Sequence, residues 1–251
     1  MSRPPISAVV TTCNNAGTLD ACLSSLAFCD EILVLDSGSE DATAEIAVRH
    51  RARWFVEPFK GYGPQKQAAI DKATHDWVLL LDADEFLEAG ASDIIQTELT
   101  APRAEGYRLP RRDWLFWRWP HPRTRPNWQL RLFRRSCGSM NDVPVHAEPN
   151  VRGMVCDLQA RMRHYGEPDL AARVEKVNRY STGMVESKRR RQPRFLPLRI
   201  VLYPAFMFFR LYVVKLYFLN GWAGYFAART QSYYAFLKYA KVLEAGRKEQ
   251  R

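Results

Sequence analysis

Over the first hundred positions apolar residues come in short dense runs, separated by polar loops rich in Asn, Asp, Ser and Gly. The run ISAVVT at 6–11 is apolar and β-branched, and a turn-prone CNNAG precedes a helical spacing over Leu19, Leu23 and Leu26. EILVL at 31–35 predicts a second buried strand that stops at Asp36-Ser37-Gly38-Ser39, and 42–50 predicts a helix with Asp41 as its cap. Residues 53–56 form a third candidate strand and 65–73 a helix. WVLLL at 77–81 predicts a fourth strand, and its unbroken hydrophobicity suits a strand covered on both faces. Strands and helices that alternate through short links predict an α/β fold with a doubly wound, mostly parallel sheet, whose sites lie at the carboxyl ends of the strands.

Beyond Thr100 the pattern changes. Residues 106–109 and 129–133 (QLRLF) read as strands on either side of an aromatic-rich loop at 114–128, and 170–190 reads as a helix. Two strongly apolar stretches follow, 195–218 and 219–243. Arg199, Arg210 and Lys215 divide the first, and Asn220 and Arg229 the second, so neither offers eighteen uninterrupted apolar residues. Helices lying in a membrane interface fit this pattern better than spanning ones. The division expected is a catalytic domain over 1–165 and a helical, basic, membrane-associating region over 166–251.

Composition narrows the picture. In 251 residues, 47% hydrophobic and 25% charged, neither disorder nor a short disulfide scaffold is tenable. The net charge of +10 suggests an anionic partner, but it is unevenly divided. Residues 1–100 hold 7 basic and 16 acidic side chains, and residues 101–251 hold 30 and 11. Five cysteines without a C-x-x-C pair read as free thiols in a reducing compartment. Met1 to Arg3 leads straight into the first strand, which predicts a cytoplasmic protein without a secretory leader.

The chemistry concentrates in Asp82-Ala83-Asp84-Glu85 after the fourth strand. Three acids at a strand end repel one another unless a cation is near, and Mg²⁺ is commonly held by one or two carboxylates plus substrate phosphates. The competing reading is that Asp82 and Asp84 cap a following helix. Asp36 ends a neighbouring strand on the same edge, as do Thr11 and Cys13 after the first. Such an edge can clasp a nucleotide diphosphate, with Asp36 accepting from base or ribose, Asp84 holding the metal and Lys66 facing the phosphates. Taken singly, Asp36 is equally a turn residue and Lys66 a solvated one.

The ordered set AVVTTCNNAGTLDACLSSL, EILVLDSGSEDAT, FKGYGPQKQ, DWVLLLDADE, QLRLFRR and LNGWAG…YYAFLKYAKVLE resembles family 2 glycosyltransferases of the GT-A fold. It is similar in particular to their lipopolysaccharide-core, WaaE/LgtF-like branch. That resemblance implies that Thr11, Cys13 and Asp36 line the nucleoside pocket, that Asp82 approaches the ribose, and that Asp84 ligates a Mg²⁺ or Mn²⁺ bridging the diphosphate. It implies an inverting displacement in which a base takes the acceptor's proton. Where the branch usually reads Val-His-Glu, this chain reads Val145-His146-Ala147-Glu148, which leaves Glu148 and Asp142 as alternatives for the base. His164, in RHYGEP, also matches the family, although a lone His is more often structural.

The resemblance implies transfer of a hexose, first of all glucose from a UDP-sugar, to a lipopolysaccharide inner core or similar lipid-linked saccharide. Trp114, Trp117, Trp119 and Trp128, interleaved with Arg111, Arg112, Arg118, Arg123 and Arg125, suit an acidic saccharide acceptor or, alternatively, a core. The basic run Lys188, Arg189, Arg190 and Arg191 beside an aromatic stretch suits an anionic membrane surface on the cytoplasmic side, or else a helix closing an oligomer. Other readings are transfer to polyprenyl phosphate or another envelope glycan, a nucleic-acid-binding protein, or a non-catalytic membrane scaffold. A nucleic-acid partner is disfavoured, because the cations alternate with apolar and Trp-rich segments and form no recognisable binding motif.

Overall fold

The structure, a computed structural model, describes residues 3–141, 147–190 and 195–248. Four parallel strands, β1 (Ile6–Thr12), β2 (Glu31–Asp36), β3 (Arg53–Val56) and β4 (Trp77–Asp82), lie in the order β3-β2-β1-β4. Their connections contain helices α1 (Leu19–Ser25), α2 (Thr43–Arg49) and α3 (Tyr62–Asp71), and α4 (Ala91–Thr100) follows later. Side chains alternate across a strand, so each strand feeds two cores. Ile6, Ala8 and Val10 of β1 and Trp77, Leu79 and Leu81 of β4 pack with Leu19 and Leu23 of α1, Ile46 of α2 and Ile95 of α4. Val9, Leu33, Leu35, Val78 and Leu80 pack the other way, with Ala69 and Ile70 of α3. Burial on both faces is the physical reason WVLLL carries no polar residue.

Past β4 the sheet turns antiparallel. Its further strands are β5 (Glu85–Leu87), β6 (Gly106–Asp113), β7 (Asn127–Arg134), β10 (Val155–Asp157) and β11 (Met162–His164). The order continues β4-β7-β6-β11-β5, and β10 pairs in parallel with β6. A separate hairpin joins β8 (Gly138–Met140) to β9 (Pro149–Val151). The doubly wound parallel half is thus the expected one, extended by an antiparallel half. Helix α3 starts three residues before the expected Gln65, because Gly61 turns the chain at φ +107° and Pro64 is tolerated in a first turn.

One expectation is corrected at the DADE segment: no helix follows it, so Asp82 and Asp84 cap none. Residues 83–84 form a turn into β5, whose Glu85 pairs with His164 of β11. The Glu85 carboxylate accepts the Asp82 backbone N–H (3.1 Å) across that turn, and this local bond favours doubling back over helix initiation.

The chain divides into two compact units. The first is Met1–Arg112 with Asn127–Tyr165, and the second is Asp113–Pro126 with Gly166–Arg251. The loop at 113–126, assigned from sequence to the catalytic domain, therefore groups with the helices. Within the second unit, buried Asn220 holds that loop, accepting from the His121 N–H (2.6 Å) and donating to Thr124 Oγ1 (2.9 Å).

The single helix expected over 170–190 is two, α5 (Leu170–Gly183) and α6 (Val185–Arg190), broken at Met184. Asp169 caps α5 by accepting the Ala172 N–H. The first apolar stretch forms α7 (Leu196–Phe209), which runs into a π-helical turn, Arg210–Val214. Together Leu196–Val214 make 19 helical residues, long and apolar enough to cross a membrane, a length the interrupting charges had argued against. A 3-10 turn, Tyr217–Asn220, leads to α8 (Gly221–Lys248). There Gly224 has no room for a side chain, because a Cβ would lie 1.9 Å from the Tyr217 carbonyl oxygen.

Candidate active site

The register brings the expected residues to one edge of the sheet: Thr11 stands opposite Asp82, and Thr12 opposite Asp36. Asp36 is buried and its carboxylate is engaged locally. It accepts the Gly38 N–H (3.0 Å), the Ser39 N–H (2.7 Å) and the Ser39 hydroxyl (2.5 Å). Asp36 is thus a turn-forming residue, one of the two readings its sequence context offered. The turn it builds meets the loop after β1, where Asn14 donates its N–H to Ser39 Oγ and accepts the Glu40 N–H. Cys13 is exposed on that loop, and its thiol is pushed up by partial burial and by Asp36, Asp41 and Glu40, so it stays protonated at neutral pH.

The three acids after β4 have three different fates. Asp82 lies between two cations, Lys66 Nζ at 2.5 Å and Arg131 Nη2 at 3.2 Å. Burial would raise its carboxyl, but Lys66 and Arg131 outweigh that and hold it far below the usual carboxylate range. Glu85 is fully buried, 2.6 Å from Arg131 and 2.7 Å from Arg111. Burial again raises and Arg131 lowers, with a net downward shift. Lys66 is buried and paired, which corrects the reading of a solvated side chain, and Arg111 is tied to Glu85 rather than presented to an acceptor.

Asp84 keeps about a third of its side chain exposed, and its carboxylate has His164 Nε2 at 3.3 Å. β11 delivers the imidazole through its register with β5, and the Tyr165 N–H donates to the Asp84 carbonyl (2.9 Å). Among the described residues no three His, Cys, Asp or Glu side chains form a ready cage for a cation. One open carboxylate with one imidazole does fit a divalent ion whose other positions go to substrate phosphates and water.

The β8–β9 hairpin approaches the start of α3. Gly63 is required there, since a Cβ would meet the Asn141 carbonyl oxygen at 2.9 Å, with Ala147 next at 3.5 Å. Asn141 and Glu148 exchange hydrogen bonds, N–H to carbonyl (3.0 Å) and N–H to side-chain oxygen (3.1 Å), and Glu148 is exposed. Asp142 lies outside the described residues. In the second unit Trp114 and Trp119 pack edge to face at 4.9 Å, while Trp117 is exposed beside Phe226. Sequence reasoning missed Arg131 altogether, took Glu85 only as one of three acids at the strand end, and gave Arg111 to an acceptor rather than to Glu85. The available signal was the charge at the middle of the apolar alternation QLRLF, which a buried strand tolerates only when paired.

A model of the family described as glycosyl transferase family 2 matches residues 7–150. The chain belongs to that family. This glycosyltransferase is 32% identical over 254 residues to the lipopolysaccharide core biosynthesis glycosyltransferase LpsC of Rhizobium meliloti, covering 96% of this chain and 92% of LpsC. It is 25% identical to an uncharacterized glycosyltransferase of Rickettsia felis, covering 96% and 90%. Among solved structures it is similar to S. aureus TarS 1-349 in complex with UDP, with 14% identity, 94% and 91% of the chains and a TM-score of 0.49. Likeness at that last level says nothing about what this chain binds. With its mixed, mostly parallel sheet, the glycosyltransferase has the expected GT-A-type architecture, with a helical carboxyl-terminal region.

Proposed function

We propose that this chain is a metal-dependent, inverting hexosyltransferase. It moves a sugar, glucose before others, from a UDP-sugar to a lipopolysaccharide inner core or similar lipid-linked saccharide at the inner face of the cytoplasmic membrane. The observation that carries the reading is the division of labour in DADE: Asp82 and Glu85 are neutralised by buried cations, whereas Asp84 stays open beside His164. The acceptor class rests on the likeness to LpsC along nearly the whole of both chains.

In this reading Thr11, Cys13 and the turn built by Asp36 bound the nucleoside side, and Asp82 approaches the ribose. Lys66 presents its ammonium to the diphosphate, adding a fixed positive charge where negative charge develops on departure. Asp84, helped by His164, would hold Mg²⁺ or Mn²⁺, which supplies Lewis-acid neutralisation of the leaving diphosphate. The acceptor hydroxyl attacks from the opposite face and passes its proton to Glu148 or Asp142.

Calorimetric titration with UDP-glucose, with and without Mn²⁺, tests the assignment. Asp84→Ala should lose the metal-dependent part of donor affinity and about 10²–10³-fold in transfer, as removal of a charge-stabilising group typically does, with an unchanged melting temperature. Metal-dependent binding that survives this substitution overturns the role of Asp84.

A further inference from the structure

The second unit carries an apolar face of its own. Leu198, Val201, Leu202, Phe206, Phe209 and Val213 follow helical spacing along α7 and its π turn, and all are exposed, Val201 at 69% and Phe206 at 55%. Only 6% of the most apolar stretch of Leu196–Val214 is buried. A contiguous stripe of large apolar side chains on a soluble surface marks an interaction site.

Charge says what covers it. From 187 to 243, fifty-seven consecutive residues contain no Asp or Glu but eleven Lys and Arg. A second copy that met this face with its own would bring the same sign of charge, whereas anionic lipid complements it. Trp222, 70% exposed, heads α8 beside Tyr225, an arrangement suited to the boundary between headgroups and acyl chains.

The packing of α8 decides how the helix lies. At about 1.5 Å per residue the 19 residues span about 28 Å, close to the ~30 Å of a hydrocarbon core, so length alone would permit crossing. However, Lys238 lies 5.2 Å from the Tyr203 ring and Arg229 5.6 Å from that of Phe208, both near the middle of the run. Ser232 bonds the Pro204 carbonyl at the same height. If α7 spanned, these cations would be carried to the bilayer centre, where each is strongly disfavoured. Flat in the interface, α7 buries only its stripe, and Arg229 and Lys238 can reach headgroups along their aliphatic stems.

We infer that α7 lies in the plane of an anionic bilayer, with Val201, Leu202, Phe206 and Phe209 inserted among the acyl chains and the cations of the acid-free segment on lipid headgroups. This rests on the membrane-associated part of the proposed function and gives it an orientation.

The test is cosedimentation of the full chain with phosphatidylcholine vesicles, with and without 30% phosphatidylglycerol, at 0.1 and 0.5 M NaCl. The wild type should bind the anionic vesicles and retain measurable binding at 0.5 M salt. Val201→Glu/Phe206→Glu should lower binding at least tenfold. Replacing Lys188, Arg189 and Arg190 by Gln should lower it about fivefold per charge on anionic vesicles only. Both altered apolar positions are exposed, so far-UV dichroism, melting temperature and UDP-glucose affinity should stay at wild-type values. Binding that is abolished by salt and indifferent to the double substitution overturns the insertion and leaves surface adhesion. Vesicle-bound protein that resists extraction at alkaline pH overturns the in-plane orientation in favour of a crossing helix. Concentration-dependent dimers that the double substitution dissolves, without vesicle binding, assign the face to a second copy and overturn the lipid partner. Vesicle binding as expected without UDP-glucose binding sinks the transferase reading and leaves this inference standing.

Discussion

Around Asp82 the charged side chains Lys66, Glu85, Arg111 and Arg131 meet opposite charge at 2.5–3.2 Å, whereas in the helical unit Arg199, Arg229 and Lys238 lie over aromatic rings with centroids 5.1–5.8 Å away. The first region has a near-equal mixture of signs, with Glu85, Lys66 and Arg131 buried. The second, from 187 to 243, has cations without a single Asp or Glu, and Arg229 among them is exposed. The difference teaches that the same residue types serve rigidity when mutually neutralised and surface attraction when left as an excess. The proposed function, with a charged donor and a charged surface, has use for both.

Breaking the buried cluster should produce the largest effect on stability. Arg131→Met leaves the fully buried Glu85 with one fewer cation and strips Asp82 of a partner, which typically costs about 3–5 kcal/mol. Thermal unfolding should then shift down by about 10 °C, given about 2–4 °C per kcal/mol in a chain of this size. A change under about 2 °C would show that the cluster does not stabilise the sheet edge.

The two regions should next separate by pH. Asp82 and Glu85 are held low in the fold, so their stabilisation is complete above the ordinary carboxylate range and is lost as pH falls through it toward the folded values. Lys238 behaves in the opposite way. Burial pushes it down to about 8, with Lys188 adding to the effect, so between about 8 and the usual lysine value near 10.4 the unfolded chain binds the extra proton. Stability should therefore fall below pH 4, and Lys238 adds a contribution that grows from pH 8 to 10 against the buried thiols of Cys22 and Cys29, which are pushed up and act in the opposite direction. Melting curves over both ranges check this, and the stability of the wild type relative to Lys238→Met should grow from pH 8 to 10.

Smaller effects sharpen the contrast. Arg229→Ala removes an exposed cation from the Phe208 ring and should cost about 0.5–1 kcal/mol, read as a shift in denaturant midpoint. Glu186→Ala breaks the solvent-exposed pair with Arg190 one helical turn away and should change stability by no more than about 0.5 kcal/mol. A loss above 2 kcal/mol in either variant would mean that the helical unit depends on its surface charges in the way the sheet edge depends on its buried ones.

Much of the parallel half was legible in the chain. ISAVVT, EILVL and WVLLL announce strands because continuous apolar β-branched and aliphatic runs have to be covered on both faces, and the loops between them carry turn residues at their ends. That Thr11, Asp36, Asp82 and Asp84 gather at one edge follows from parallel pairing alone, because it puts every carboxyl end on the same side. Membership of the glycosyltransferase family was readable from the ordered motifs, since each needs its neighbours in sequence rather than in space.

The roles within DADE were not legible, because a carboxylate's job is set by what lies within about 4 Å, and those neighbours come from far along the chain. Lys66 arrives on α3, Arg111 on β6, Arg131 on β7 and His164 on β11. In the antiparallel half β6 and β7 were readable as strands, whereas β5 and β11 escaped for a similar reason: they are three residues each, too short to show a period, and they exist because they pair with one another. The flat lie of α7 likewise depends on α8, whose Arg229 and Lys238 reach the middle of a helix that on hydropathy alone spans. Sequence by itself determined the strands, the edge they share and the excess of positive charge, all of which rest on local propensity and composition. Tertiary structure decided which acid is neutralised and which is open, because electrostatic environment is a property of distance in space.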